Sequence, residues 1–479
     1  MNSRSTWLIA LIFFAQLVLI FSPGPIYFIV LLLIIFLAIL FITKDITISS
    51  FFVYLLLLFN NAPFFEHTTK SAIPLSFYFQ KVRLYSVYES IQIRDILVVI
   101  ACVSILFNSH IPLRKLTKRN ASLRHIFYIF IVLLFNQLFG NYSTSTWFSF
   151  LSLISLFLAY VVVRASIKIN ASMTILIVRA TVVTSLLTQV IAAGIQLFQS
   201  LVIKSTQIPL GTYSSILPQL TDGRISGTFS HPNYLAVSIG IVCAFFASEL
   251  FSVGINKQKN HLSTVLHICI LCVGTTLVAL SKSRIAFFSL LLIYGFLVVK
   301  FLIAGREKSK TRFLQIIQSK LLPLFAGMTI LLFLYTFNRS GGLTTLEGRW
   351  ATITQGIDII AKKPLFGVGP ELSTYSIATH YHYVFEYEDS LRGIHSTWLL
   401  FAAENGIVVT LLIVLLYIKL GRTLKKSQSA RSSIAMTALI FFVICSLFYP
   451  LYIYDGSIEL LFILIGISVM ARKNYNHVK

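Results

Sequence analysis

The sequence predicts an all-α fold: a polytopic membrane protein with twelve to fourteen transmembrane helices. Three observations carry this. The 479-residue chain is 57% hydrophobic and only 11% charged, whereas an ordinary soluble domain is about 25% charged. Its mean hydropathy is +0.84. Its apolar residues gather into runs of roughly 15–25 residues, long enough to cross a bilayer. Together they exclude a soluble enzyme, a coiled coil, a disulfide scaffold and a disordered chain.

In order, the runs lie at 6–21, 26–43, 48–61, 94–108, 125–139, 146–164, 173–199, 234–252, 262–281, 284–304, 320–337, 397–419, 433–452 and 457–471. The first follows Arg4 and has the look of a signal peptide. However, Ser22-Pro23-Gly24-Pro25 lacks a small-x-small cleavage site and another run follows at once, so it reads as an uncleaved helix. With no internal repeat and no soluble linker, residues 1–479 read as a single integral membrane domain.

Basic residues orient the chain. Clusters at Arg114–Arg119, Lys257 with Lys259, Arg306–Arg312, Arg422–Arg431 and Arg472 with Lys473 fall on one face when the spans alternate strictly. By the positive-inside rule that face is the cytoplasm, and both termini share it. The net charge of +23 therefore reads as topology and attraction to membrane lipids, with no nucleic-acid partner. Cys102, Cys243, Cys269, Cys272 and Cys445 lie in apolar runs and read as small core residues.

The opposite face carries the segments around 62–93, 200–233, 282–283 and 338–396. The last is a large extracytoplasmic loop, and loops of that length are commonly functional. Within it, Thr344-x-x-Glu347 fits a capping box. Trp350, Ile353, Ile357 and Ile360 follow at helical spacing, Lys362 and Lys363 suit the negative end of the dipole, and Pro364 stops the helix. Phe366-Gly367-Val368-Gly369-Pro370 then turns the chain. The spacing predicts a short amphipathic helix at the outer membrane surface.

Three groups at that level stand out: Arg224, just before the eighth span; Arg284, in the hairpin Ser281-Lys282-Ser283-Arg284; and His395, at the start of the twelfth. Outward positive charge runs against the orientation bias and calls for an anionic ligand. Arginine grips phosphate oxygens through a planar fork and stays charged. A lipid diphosphate is already a good leaving group that needs charge neutralisation more than a proton. What then remains is to deprotonate an attacking sugar hydroxyl, which suits a neutral histidine. Such a site needs no metal and no cofactor. Each residue also has an ordinary reading: an arginine at a span end anchors headgroups, and a histidine at a helix start is a polar terminus. Arg179 reads as structural or snorkelling, His267 as an interior histidine, and Glu404 as an intramembrane acid with either a functional or a pairing role. His380, His382, Glu386, Glu388 and Asp389 match no strong zinc spacing, and Gly367-x-Gly369 follows no strand and is no nucleotide fingerprint.

At these residues the sequence resembles the superfamily of O-antigen ligases and Wzy-type O-antigen and exopolysaccharide polymerases. The resemblance rests on four stretches in order across 220–410: Gly223-Arg224-Ile225-Ser226-Gly227-Thr228-Phe229 with His231-Pro232-Asn233; Ser283-Arg284; Arg349 through Pro364-Leu365-Phe366-Gly367-Val368-Gly369; and His395 with Glu404-Asn405-Gly406. It implies a GT-C-like membrane fold in a bacterial inner membrane, with the active site on the periplasmic face. It implies inverting, metal-independent transfer from an undecaprenyl-diphosphate-linked oligosaccharide donor to a glycan or lipid A core acceptor. Arg224 and Arg284 become the diphosphate contacts and His395 the catalytic base. Asn233, His231, Arg349, Lys282 and Glu404 are expected to bind substrate. Ser396 departs from the pattern, since ligases often carry asparagine there.

His231-Pro232-Asn233-Tyr234-Leu235-Ala236 looks more like the polymerases than the ligases. The expectation is therefore a polymerase of lipid-linked repeat units, with an O-antigen ligase as the alternative. A polysaccharide or lipid transporter is the reading from another class. It calls for inverted repeats and polar groups at the membrane midplane, whereas here the polar residues cluster at one face.

Overall fold

The computed structural model describes residues 3–20, 25–59, 93–107, 121–140, 146–203, 224–226, 229, 231–253, 261–305, 330, 342–370, 373, 394–427, 430–449, 451 and 457–475. Among them every regular element is a helix: α1 Ser3–Ile20, α2 Pro25–Thr43, α3 Ile46–Phe59, α4 Ile93–Phe107, α5 Ala121–Phe139, α6 Thr146–Ile169, α7 Ala171–Ile203, α8 Pro232–Val253, α9 His261–Leu280, α10 Arg284–Gly305, α11 Gly342–Lys362, α12 Thr397–Ser427, α13 Ala430–Ser446 and α14 Ser457–Tyr475. All the predicted spans but 320–337 coincide with one of these helices; that run lies outside the described residues save Ile330. Four helices are long and apolar enough to cross a membrane on those grounds alone, at Ser122–Phe139, Ala171–Phe198, Pro232–Phe251 and Thr397–Lys426. The chain is a polytopic, all-helical membrane protein. Of the basic clusters, Arg114–Arg119, Lys257 with Lys259 and Arg306–Arg312 lie outside the described residues.

Helix α8 is the axis of the bundle. It packs on α9, α10, α13 and α14, and 83% of its apolar window is buried. Small residues make the close approach possible. A Cβ on Gly240 would lie 2.1 Å from the Phe441 ring, and one on Gly274 would lie 2.3 Å from Cys243 Sγ. Around this centre α6 packs on α14 and α4, and α7 on α1 and α9.

Toward the far end of α8, Arg179 of α7 donates to Glu249, whose other oxygen lies 3.4 Å from His267 Nε2 of α9. The carboxylate is buried while the arginine side chain is 46% exposed. Glu249 is the partner that Arg179 and His267 lack in a reading of the sequence alone: three residues on three helices share one charge-compensated contact. An interior acid is costly unless it is paired.

Helix α11 ends at Lys362 as its sequence predicts, and starts two residues before Thr344. Its packing splits the predicted stripe, with Ile360 against the core and two other members turned away from it. Thr352, Gln355 and Ile359 are buried on the side toward α12, while Trp350 and Ile357 stand 68% and 54% exposed. A helix bordered by water turns its apolar stripe inward. Trp350 and Ile357 turned outward suit a helix bordered by lipid.

Candidate functional site

Helix α12 is broken. Trp398 and Tyr417 lie nineteen positions apart, about 28 Å along a straight helix, yet their ring centroids are 5.5 Å apart. The chain folds back at Gly406, whose φ of 82° and ψ of 164° belong to a region open almost only to glycine. The expected single span at 397–419 is therefore two limbs, 397–405 and 407–427. Glu404-Asn405-Gly406 forms the elbow between them rather than the interior of one continuous span. Asn136, near the end of α5, donates to the Asn405 carbonyl (2.7 Å).

The glycine-rich stretch after α11 completes the elbow. In an unbroken helix the Ile407 N–H would bond the Ala403 carbonyl. Here Ile407 N–H donates to Pro364 O, Val368 N–H to Ala403 O and Gly369 N–H to Glu404 O, each at 2.9 Å. The strap 364–369 thus takes up the main-chain groups that the break releases. Gly367, with φ +73°, fits because a Cβ there would meet the Glu404 carbonyl carbon at 2.4 Å. The Glu404 side chain is buried and accepts a 2.6 Å hydrogen bond from Ser373 Oγ.

The second part of the site is built on α8. Pro232 opens this helix at the position where a missing N–H costs nothing. His231 caps it, its Nδ1 accepting from the Asn233 N–H (3.1 Å). A neutral His231 then carries its proton on Nε2. Arg224 is 5% exposed. Its Nε donates to the Ser281 carbonyl (2.7 Å) and an Nη to Asn233 Oδ1. One edge of the fork therefore locks the start of α8 to the α9–α10 hairpin. Behind it, Gln196 of α7 accepts from Ser226 N–H and donates to Ser226 Oγ, both at 3.1 Å.

The hairpin turns through Lys282, a non-glycine residue at φ 51°, and Ser283 leads into Arg284, the first residue of α10. Ser283 Oγ is hydrogen-bonded to the Tyr449 hydroxyl (2.7 Å). The Tyr449 carbonyl accepts from Thr397 Oγ1 (2.6 Å), which itself accepts from the Leu451 N–H (2.8 Å). Trp398 Nε1 donates to Ser446 Oγ (2.9 Å). His395 is half-buried, two residues before α12.

A continuous path of hydrogen bonds and short chain steps thus joins His231, Asn233, Arg224, the hairpin with Lys282 and Arg284, Tyr449, Thr397 and His395. It brings the N-termini of α8, α10 and α12 to one end of the bundle. Helix N-termini and arginines both favour an anion. Glu404 belongs to the elbow, nine residues further along α12. Arg349 lies in α11, and its side chain is outside the described residues, as are Gly223, Gly227, Thr228 and the segment from His380 to Asp389. Among the described residues no group of three or more His, Cys, Asp and Glu is placed to hold a metal.

Sequence reasoning passed over Gln196, Thr397, Tyr449 and the buried Glu459 in the first turn of α14. Gln196 carried a signal, a buried amide in an apolar helix. Tyr449 carried none, because its partners are 52 and 166 positions away.

Residues 268–414 match a family model described as O-antigen ligase. The matched segment spans most of α9, all of α10 and α11, and α12 through its elbow. It contains Lys282, Arg284, Arg349, His395 and Glu404, while Arg224, His231 and Asn233 precede it. No curated protein matches the chain.

Proposed function

We propose that this protein, which carries an O-antigen ligase family segment, is a membrane glycosyltransferase polymerising undecaprenyl-diphosphate-linked oligosaccharide repeat units at the outer face of a bacterial inner membrane. The observation that carries this reading is the meeting of three helix N-termini with Arg224, Arg284 and His395 at one end of the bundle. Positive groups gathered there suit a diphosphate, and their rigid placement favours charge that develops on a leaving group.

In this reading the guanidinium groups of Arg224 and Arg284 hold the diphosphate oxygens. Lys282, Asn233, His231 and Arg349 contact the donor's polar part, and Glu404 braces the elbow beside it. His395 accepts the proton of the acceptor hydroxyl as that oxygen attacks the anomeric carbon from the face opposite the diphosphate. The bond to the diphosphate breaks with its electron pair, and the anomeric configuration inverts. Charge neutralisation comes from the arginines, so the reaction requires no metal and no cofactor. Arg224 and the α8 start precede the matched segment, so the working unit is the motif region 220–410 within one membrane domain.

A second reading is favoured by the description of the matching family: an O-antigen ligase that transfers the glycan to lipid A core. Reconstitution with one lipid-linked repeat unit and no other acceptor separates the two. A ladder of lipid-linked oligomers is the expected product. Transfer appearing only when lipid A core is added establishes the ligase. His395→Ala is expected to abolish turnover while donor binding persists. Full turnover in that variant would remove the histidine from its role as base.

A further inference from the structure

We propose that Tyr449 is a positioning residue, holding the histidine of the transfer site at a fixed separation from the arginine on the α9–α10 hairpin. This rests on the roles given above to His395 and Arg284. Tyr449 sits in the turn after α13, held by its N–H to the Cys445 carbonyl (3.0 Å). The two residues before it, Leu447 and Phe448, are 52% and 46% exposed, whereas Tyr449 is 2% exposed. The turn therefore directs its tyrosine inward, and a buried phenol needs a partner.

It has partners at both ends. The hydroxyl reaches Ser283, the residue immediately before Arg284. The carbonyl takes the hydroxyl of Thr397, two residues after His395. Thr397 is doubly committed, because its oxygen also accepts from the Leu451 N–H. One residue thus connects two chain segments more than a hundred positions apart, each bearing a group that must act on the same bond. General base and leaving group work on opposite faces of one carbon, so their relative placement governs rate steeply. Loosening the tie leaves each group in being but spreads the distance between them.

Tyr449→Phe removes one oxygen and keeps the buried ring. It is expected to lower kcat about 10-fold, the scale of one lost hydrogen bond, with the donor KM within twofold of the wild type. Ser283→Ala combined with Tyr449→Phe is expected to add little further loss, since both delete one contact. The Thr397 pair provides a test that does not depend on Tyr449→Phe folding. Thr397→Ser keeps the hydroxyl and retains kcat, whereas the near-isosteric Thr397→Val lowers it.

Wild-type kcat in Tyr449→Phe, or equal losses in Thr397→Ser and Thr397→Val, overturns the proposal. So does a loss explained wholly by a smaller fraction of donor-binding protein. Turnover retained by His395→Ala in the same assay sinks the assignment of the base itself. If His395→Ala is dead and Tyr449→Phe is normal, only the positioning role falls.

Discussion

Gly406→Ala tests the elbow of α12 most directly. The backbone there has φ 82° and ψ 164°, a conformation that costs an L-residue about 1–3 kcal/mol. The added methyl would also lie 1.9 Å from Leu365 O and 2.5 Å from the Leu365 carbonyl carbon. Both are main-chain atoms, so no rotamer change relieves the clash, and trimming the Leu365 side chain gives no rescue. The strap must move, and three main-chain hydrogen bonds tie it to the elbow. At about 1 kcal/mol net for each, their loss adds about 3 kcal/mol, for a total destabilisation of about 4–6 kcal/mol. The assay is the unfolding midpoint of detergent-purified protein, with Gly194→Ala as the internal comparison. Gly194 lies inside α7, and a Cβ there meets nothing within 4 Å, so that variant is expected to be neutral or stabilised by up to about 1 kcal/mol. If Gly406→Ala unfolds with Gly194→Ala rather than well before it, the broken helix and the docked strap are both wrong.

Arg224→Lys is expected to cut turnover by about 100-fold, because a point charge cannot bond the Ser281 carbonyl and Asn233 Oδ1 together and still face a phosphate; near-normal activity would leave Arg224 only a structural tie between the start of α8 and the hairpin. At the other end of α8, Arg179→Leu is expected to destabilise more than Glu249→Leu. The first takes the arginine away from a buried carboxylate, whereas the second leaves a half-exposed arginine able to reach outward. Unfolding of the two variants side by side checks the order, and the reverse order would mean that the pair contributes through packing alone.

Much of the molecule was legible from order along the chain. Apolar runs located the helices because a span must be long and dry to cross a bilayer. The stop of α11 at Lys362 was legible because Pro364 cannot continue a helix. Arg224, Arg284 and His395 stood out in the sequence because positive charge there runs against the orientation that the basic clusters predict. The elbow was not: an apolar stretch from Trp398 to Leu420 reads the same whether straight or folded, and a lone glycine inside it is tolerated in either case. Nor was the outward turn of Trp350 and Ile357, since helical spacing marks a stripe without saying what borders it.

The sequence by itself determined the solvent: a chain this apolar, with basic residues segregated to its connections, can only be a helical membrane protein. It determined as well which residue types were present for anion chemistry, because arginine and histidine keep their properties wherever they are placed. The tertiary structure decided which of them share one hydrogen-bonded framework. Thr397 and Ser283 meet through Tyr449, Arg224 closes the start of α8 onto a hairpin 57 positions away, and the strap fills the break in α12. These are contacts between segments remote in sequence, and their geometry depends on how whole helices pack. Helix packing follows the shapes of entire faces, which no local pattern of residues encodes.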